Sequence, residues 1–159
     1  MTPDALFRAS EMLDMAIQIE RQGLEFYKAC LDAQTDSDLK AVFQYLADQE
    51  KEHAGTFSRM KDKLPDDYTL PESYPGEIQN YIDAFVKGRV FDDPAEAEKK
   101  GREMTNPSAV IDFGLDIEKA SILFYSGMKE YVRASERQEI DRIIAEEQKH
   151  VKKLLALRK

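Results

Sequence analysis

The chain is poor in the residues that build covalent frameworks and soft-metal sites. Among 159 residues there is one cysteine, Cys30, and only two histidines, His53 and His150. A single cysteine excludes an intrachain disulfide framework and any multi-cysteine zinc or iron–sulfur site. No apolar run approaches the roughly 18 residues of a membrane span, and the Met1-Thr2-Pro3-Asp4 start lacks the basic and apolar parts of a signal peptide. The expectation is therefore a cytoplasmic protein with no membrane partner. Basic residues are also short, 23 Lys and Arg against 31 Asp and Glu, for a net charge of −8. That balance argues against nucleic acid as a partner. What is present is 42% hydrophobic and 34% charged, at a length that suits one domain over residues 1–159.

Strand-like alternation of useful length is missing too, and the pattern is helical. Thr2-Pro3-Asp4 reads as a cap followed by proline at the first helical position. Leu13, Ile17, Leu24, Tyr27 and Leu31 then recur at spacings of three and four, which predicts a first helix over 3–33. Asp36 or Ser37 can cap a second helix over 37–63, carrying Leu39, Phe43, Leu46, Phe57 and Met60 on one stripe. Asn106-Pro107 opens a third, over 107–132, with Ile111, Leu115, Ile122, Tyr125 and Val132. Ser135 with Gln138 fits a capping box for a fourth, over 136–157, with Ile140, Ile143, Val151 and Leu154. Residues 64–106 are broken by Pro65, Asp66-Asp67, Pro71, Pro75, Gly88 and Pro94. They hold material for two short helices, one around Ile78, Tyr81, Ile82, Phe85 and Val86 and one through Ala95 to Met104. The expected fold is all-α: an antiparallel four-helix bundle with a long crossover between the second and third helices.

The two helical blocks repeat one another. Ile19-Glu20-Arg21 returns as Ile117-Glu118-Lys119, and Phe26-Tyr27 as Phe124-Tyr125, both 98 residues later. Glu50-Lys51-Glu52-His53 returns as Glu147-Gln148-Lys149-His150, 97 residues later. The repeated polar residues sit on the apolar stripes. Glu20 lies between Ile17 and Leu24, Glu118 between Leu115 and Ile122, Glu50 and His53 between Leu46 and Phe57, and Glu147 and His150 between Ile143 and Leu154. Folding would gather four carboxylates and two imidazoles into one core layer. Isolated buried carboxylates cost several kcal/mol each, so cations must compensate, and two divalent ions supply +4 against −4.

Glu-x-x-His places both side chains on one side of a helix, within reach of one metal region. With 16 glutamates in 159 residues, both histidines having one three residues upstream is about a one-in-a-hundred coincidence. One glutamate from each of two helices, plus Glu-x-x-His from each of the other two, is the ligand pattern of di-iron and di-manganese carboxylate bundles. The competing reading is an ion-paired core without metal. Glu146, four residues before His150, matches Gln49 in the repeat and reads as solvated. Glu52 reads as surface, and Cys30 as a packed small residue.

At these residues the sequence resembles the ferritin-like di-iron superfamily and, within it, the rubrerythrin family, along all four long helices. The resemblance implies a ferritin-like bundle holding two iron ions, with manganese or zinc as substitutes. It implies that Glu20 and His53 hold one ion, Glu118 and His150 the other, and that Glu50 and Glu147 bridge them. Tyr27 and Tyr125 stand where such proteins place tyrosines beside the metal pair. Two departures are visible. Family members commonly add a four-cysteine rubredoxin module, whereas Cys30 stands alone here, so electrons are expected from a separate donor, rubredoxin-like or another reductant. They also carry an extra glutamate three residues before the third-helix ligand, where this chain has Leu115, leaving the symmetric six-residue set of bacterioferritin-like sites. The implied activity is reduction of hydrogen peroxide. Ferroxidase chemistry with dioxygen or peroxide, or metal binding without turnover, are the alternatives. A homo-oligomer such as a dimer is expected by the same resemblance.

Overall fold

A computed structural model describes residues 9–65, 72–88 and 93–158. The Thr2-Pro3-Asp4 start, the Asp66-Asp67 and Pro71 breaks and the side chain of Val86 lie outside the described residues. Four long helices, α1 (Ala9–Ala33), α2 (Ser37–Asp62), α5 (Pro107–Met128) and α6 (Ala134–Ala156), make the bundle, and α3 (Glu77–Gly88) and α4 (Pro94–Glu103) lie in the connection between α2 and α5.

Local chemistry explains most helix starts. Asp36 Oδ1 accepts from the Leu39 amide at 2.9 Å, Asp93 Oδ1 from Glu96 at 2.8 Å, and Asn106 Oδ1 from Ala109 at 3.2 Å, each satisfying an amide that the first helical turn leaves unpaired. Pro94 and Pro107 follow two of these caps at the first helical turn, where a missing N–H costs nothing. The start of α6 departs from expectation. It begins at Ala134 with Arg133 in the cap position and no side-chain cap bond, so Ser135 sits within the first turn and forms no capping box. The reason lies upstream. α5 ends at Met128, a 3-10 turn covers Lys129–Tyr131, and Val132 is extended and buried, which brings Arg133 to the helix start. Arg133 then pairs with Glu136 at 2.8 Å.

The apolar core divides into two clusters, and every long helix contributes to both. One holds Leu13 and Ile17 of α1, Phe57 and Met60 of α2, Phe124 and Met128 of α5, and Ile140 and Ile143 of α6. The other holds Phe26 and Cys30 of α1, Leu39, Phe43 and Leu46 of α2, Ile111 and Leu115 of α5, and Leu154 of α6. Reading each helix from cluster to cluster gives its direction: α1 and α6 run one way, α2 and α5 the other. Helices that pack side by side (α1 with α2, α5 with α6, α1 with α5, α2 with α6) are therefore antiparallel.

That arrangement requires the crossover to travel the length of the bundle, and its pieces mark the route. Ile78 and Ile82 of α3 join the first cluster, and Ala97 of α4 joins the second. The Tyr81 hydroxyl donates to the Phe124 carbonyl at 2.6 Å, docking α3 on α5. α4 lies so close to α1 that a Cβ at Gly101 would stand 2.6 Å from the Phe26 carbonyl oxygen, a contact only glycine allows. Gln34, buried after α1, donates to the Met104 carbonyl at 3.0 Å and ties the end of the crossover to the α1–α2 turn. Among the described residues no helix is long and apolar enough to cross a membrane.

Candidate metal centre

Between the two apolar clusters lies a polar layer. Glu20 of α1, Glu50 and His53 of α2, Glu118 of α5, and Glu147 and His150 of α6 are all at most 1% exposed. On each helix these residues fall at the break between the stretch that feeds one cluster and the stretch that feeds the other. The helical spacing that makes the stripes therefore carries the acids to the same depth in the bundle.

Donor atoms from these residues form two overlapping groups, within each of which the atoms lie no more than 4.8 Å apart. Glu20, Glu50, His53 and Glu147 form one; Glu50, Glu118, Glu147 and His150 form the other. Glu50 and Glu147 belong to both. His53 Nδ1 stands 2.7 Å from Glu147 Oε1 and 3.6 Å from Glu20 Oε2. His150 Nδ1 stands 3.4 Å from Glu118, 3.5 Å from Glu50 and 3.8 Å from Glu147. The two imidazoles stack 5.7 Å apart, at 16°. Gly23, one turn after Glu20, gives the Glu50 carboxylate its space: a Cβ there would lie 2.8 Å from Glu50 Oε2.

The tyrosines cross the bundle. Tyr27 of α1 donates to Glu118 Oε1 on α5 at 2.7 Å, and Tyr125 of α5 donates to Glu20 Oε1 on α1 at 2.5 Å. Burial, reinforced by the charge of the carboxylate each one touches, holds both phenols well above their ordinary pKa. Both therefore remain O–H donors.

The electrostatics of the layer are those of negative charge without enough counter-charge. Burial, then the neighbouring carboxylates, push Glu50 and Glu147 well above the usual carboxylate range. Glu118 goes the other way: burial pushes it up, but the closeness of Glu147 and its bonds with His150 and Tyr27 outweigh that and hold it low. For His53, burial works to lower the pKa, and Glu20 and Glu146 raise it overall.

Whether the residues suit metal ions is answered by their unused atoms. Glu20 Oε2, Glu50 Oε1, both oxygens of Glu147, His53 Nδ1 and His150 Nε2 are buried without a hydrogen-bond partner. The short His53–Glu147 approach lacks the alignment of a hydrogen bond. Buried polar atoms left unpaired cost of order 1–3 kcal/mol each, and here those of Glu20, Glu50, His53 and Glu147 meet from three helices. Carboxylate oxygens with imidazole nitrogens are a donor set for iron, manganese or zinc. Two divalent ions would meet the unpaired oxygens and offset the charge, so the residues fit the group.

One functional neighbour escapes a reading of single helices. Glu146, expected in solvent, accepts from His53 Nε2 at 2.6 Å, and its side chain is only 24% exposed. It lies about 100° round α6 from Glu147, which turns it across to α2, and the stripe of its own helix does not reveal that partner. The available signal was the break in the repeat, Gln49 in one half against Glu146 in the other. Glu52 is exposed as expected. Cys30 is packed in the second cluster, its thiol pushed up to about 12 by burial.

The rubrerythrin family model matches residues 11–158. A solved structure from Thermotoga maritima, assigned as a ferritin-like diiron-carboxylate protein, is similar over 96% of this chain and 95% of that one, with 28% identity and a TM-score of 0.72. No curated protein matches the chain.

Proposed function

The chain belongs to the rubrerythrin family, and from that premise we propose that it is a di-iron carboxylate oxidoreductase that reduces hydrogen peroxide with electrons from a separate donor protein. The observation that carries the reading is the pair of donor groups sharing Glu50 and Glu147. Glu20 and His53 would hold one ion and Glu118 and His150 the other, with Glu50 and Glu147 within reach of both. Two ferrous ions bound there supply the two electrons that, with two protons, convert one peroxide into two waters.

The chain's own part is to hold, orient and screen. Tyr27 and Tyr125 each occupy one oxygen of a terminal glutamate, leaving the other oxygen to face the cluster. Their hydroxyl protons stay on Oη because burial and the adjacent carboxylates disfavour the phenolate. The flanking apolar clusters keep bulk water from the layer, which strengthens every charge interaction within it. Leu115, buried where family members commonly carry a fifth carboxylate, favours a second reading, oxidation of Fe(II) by dioxygen or peroxide.

Rapid mixing separates them. Anaerobic Fe(II)-loaded protein is expected to be oxidised far faster by peroxide than by dioxygen. The reverse order favours ferroxidase activity, and no reaction with either leaves a metal-binding bundle. Metal analysis finding fewer than two ions per chain overturns the centre itself.

A further inference from the structure

The two halves of the site are built to one pattern, but the surroundings of their histidines differ. His53 turns Nδ1 to the carboxylate layer and gives Nε2 to Glu146 at 2.6 Å. Glu146 is itself held, its other oxygen taking Arg142 Nη1 at 2.9 Å, and Arg142 is braced by Glu139 at 2.8 Å. His150 also turns Nδ1 to the layer, but its Nε2 is buried with no partner. Beyond that ring stands the Tyr45 side chain, edge-on at 5.8 Å, with Lys153 Nζ 4.6 Å over the tyrosine. One imidazole is backed by an anchored anion, the other by an aromatic ring and a cation.

A carboxylate on the remote nitrogen of a ligating histidine fixes its tautomer, orients the ring and makes the ligating nitrogen more basic, and losing such a partner typically costs about 10–100-fold in metal affinity. We infer that Glu146 is a positioning residue that makes the two metal positions unequal, so that the position of Glu20 and His53 fills first and holds its ion more tightly than that of Glu118 and His150. Lys153 works in the same direction, since a cation beyond His150 disfavours a second cation inside. The inference rests on the ligand reading proposed above and adds an order of filling and release. The ion at His150 is the exchangeable one.

The test is titration of metal-free, full-length protein with Co(II), followed by calorimetry and by the visible bands of each equivalent. The wild type is expected to bind two ions in two steps. Glu146→Gln should lower the stronger constant about 10–100-fold, leave the weaker one in place and shift the bands of the first equivalent, and Glu146→Asp should restore part of the loss. Arg142→Gln, which keeps the carboxylate but frees it, should lower the same constant by less and serves if Glu146→Gln does not fold. Equal constants in the wild type, or variants that lower both constants alike or neither, overturn the inference. Fewer than two ions bound by the wild type overturns the ligand reading instead.

Discussion

Gly23 carries a functional demand that no local signal announces. It lies inside α1, where glycine costs about 1 kcal/mol relative to alanine, and the atom that needs its space is Glu50 Oε2 on another helix. Gly23→Ala should therefore separate stability from binding. The carboxylate is the end of a flexible side chain and can move aside, so urea denaturation of the metal-free variant should show equal or slightly greater stability. Metal titration should show weaker binding, because the displaced carboxylate is one that both donor groups use. Weaker folding with unchanged binding would contradict the placement. The six buried acids and histidines themselves were legible in the sequence, because an acid on an apolar stripe is costly and a repeat of four such acids is hard to explain without cations. Glu146 was not legible, because its value depends on what faces it across the bundle.

Among the elements, helix starts were readable wherever the cap is a short-range device. Asp36 and Asn106 each bond to an amide three residues on. The boundary between α5 and α6 was not readable, because tertiary contacts set it: Tyr131 donates to Glu77 of the crossover at 2.9 Å, and Val132 is buried. The contrast can be measured. Asp36→Ala and Asn106→Ala should each cost about 1 kcal/mol of unfolding free energy. Ser135→Ala, which removes no cap, should stay within about 0.5 kcal/mol of wild type. Chemical denaturation of the metal-free variants checks all three, and a loss at Ser135 equal to the other two would restore the capping box.

For the whole molecule, the excess of acid becomes a matter of placement. The net charge is −8, and four glutamates of that excess sit in the buried layer. Glu50 and Glu147 have raised pKa values in the fold, so their contribution to stability is present below the unfolded carboxylate range and lost as pH rises through the raised values. His53, also raised, acts in the same sense above its ordinary value of 6.5. Glu118, held low, opposes them only as pH falls through its depressed value. Metal-free protein should therefore melt at a higher temperature near about pH 5.5 than near about pH 8. A divalent metal should remove or invert that difference. At a free metal concentration a hundredfold above Kd, the gain in unfolding free energy is expected to be about 2.7 kcal/mol. Thermal melts with and without metal at both pH values provide the check, and a metal-free protein that is more stable at the higher pH would refute the placement of charge.

The division of the core has a mechanical meaning. Because each apolar cluster draws on all four long helices, neither half can come apart by peeling away one helix. The seam between the halves is the acid layer, where like charges press outward. Without metal the molecule is two tight grips on the same four rods with a strained waist between them. Two ions at that waist would act as a rivet, so that filling the centre and making the bundle yield as a single body become one event.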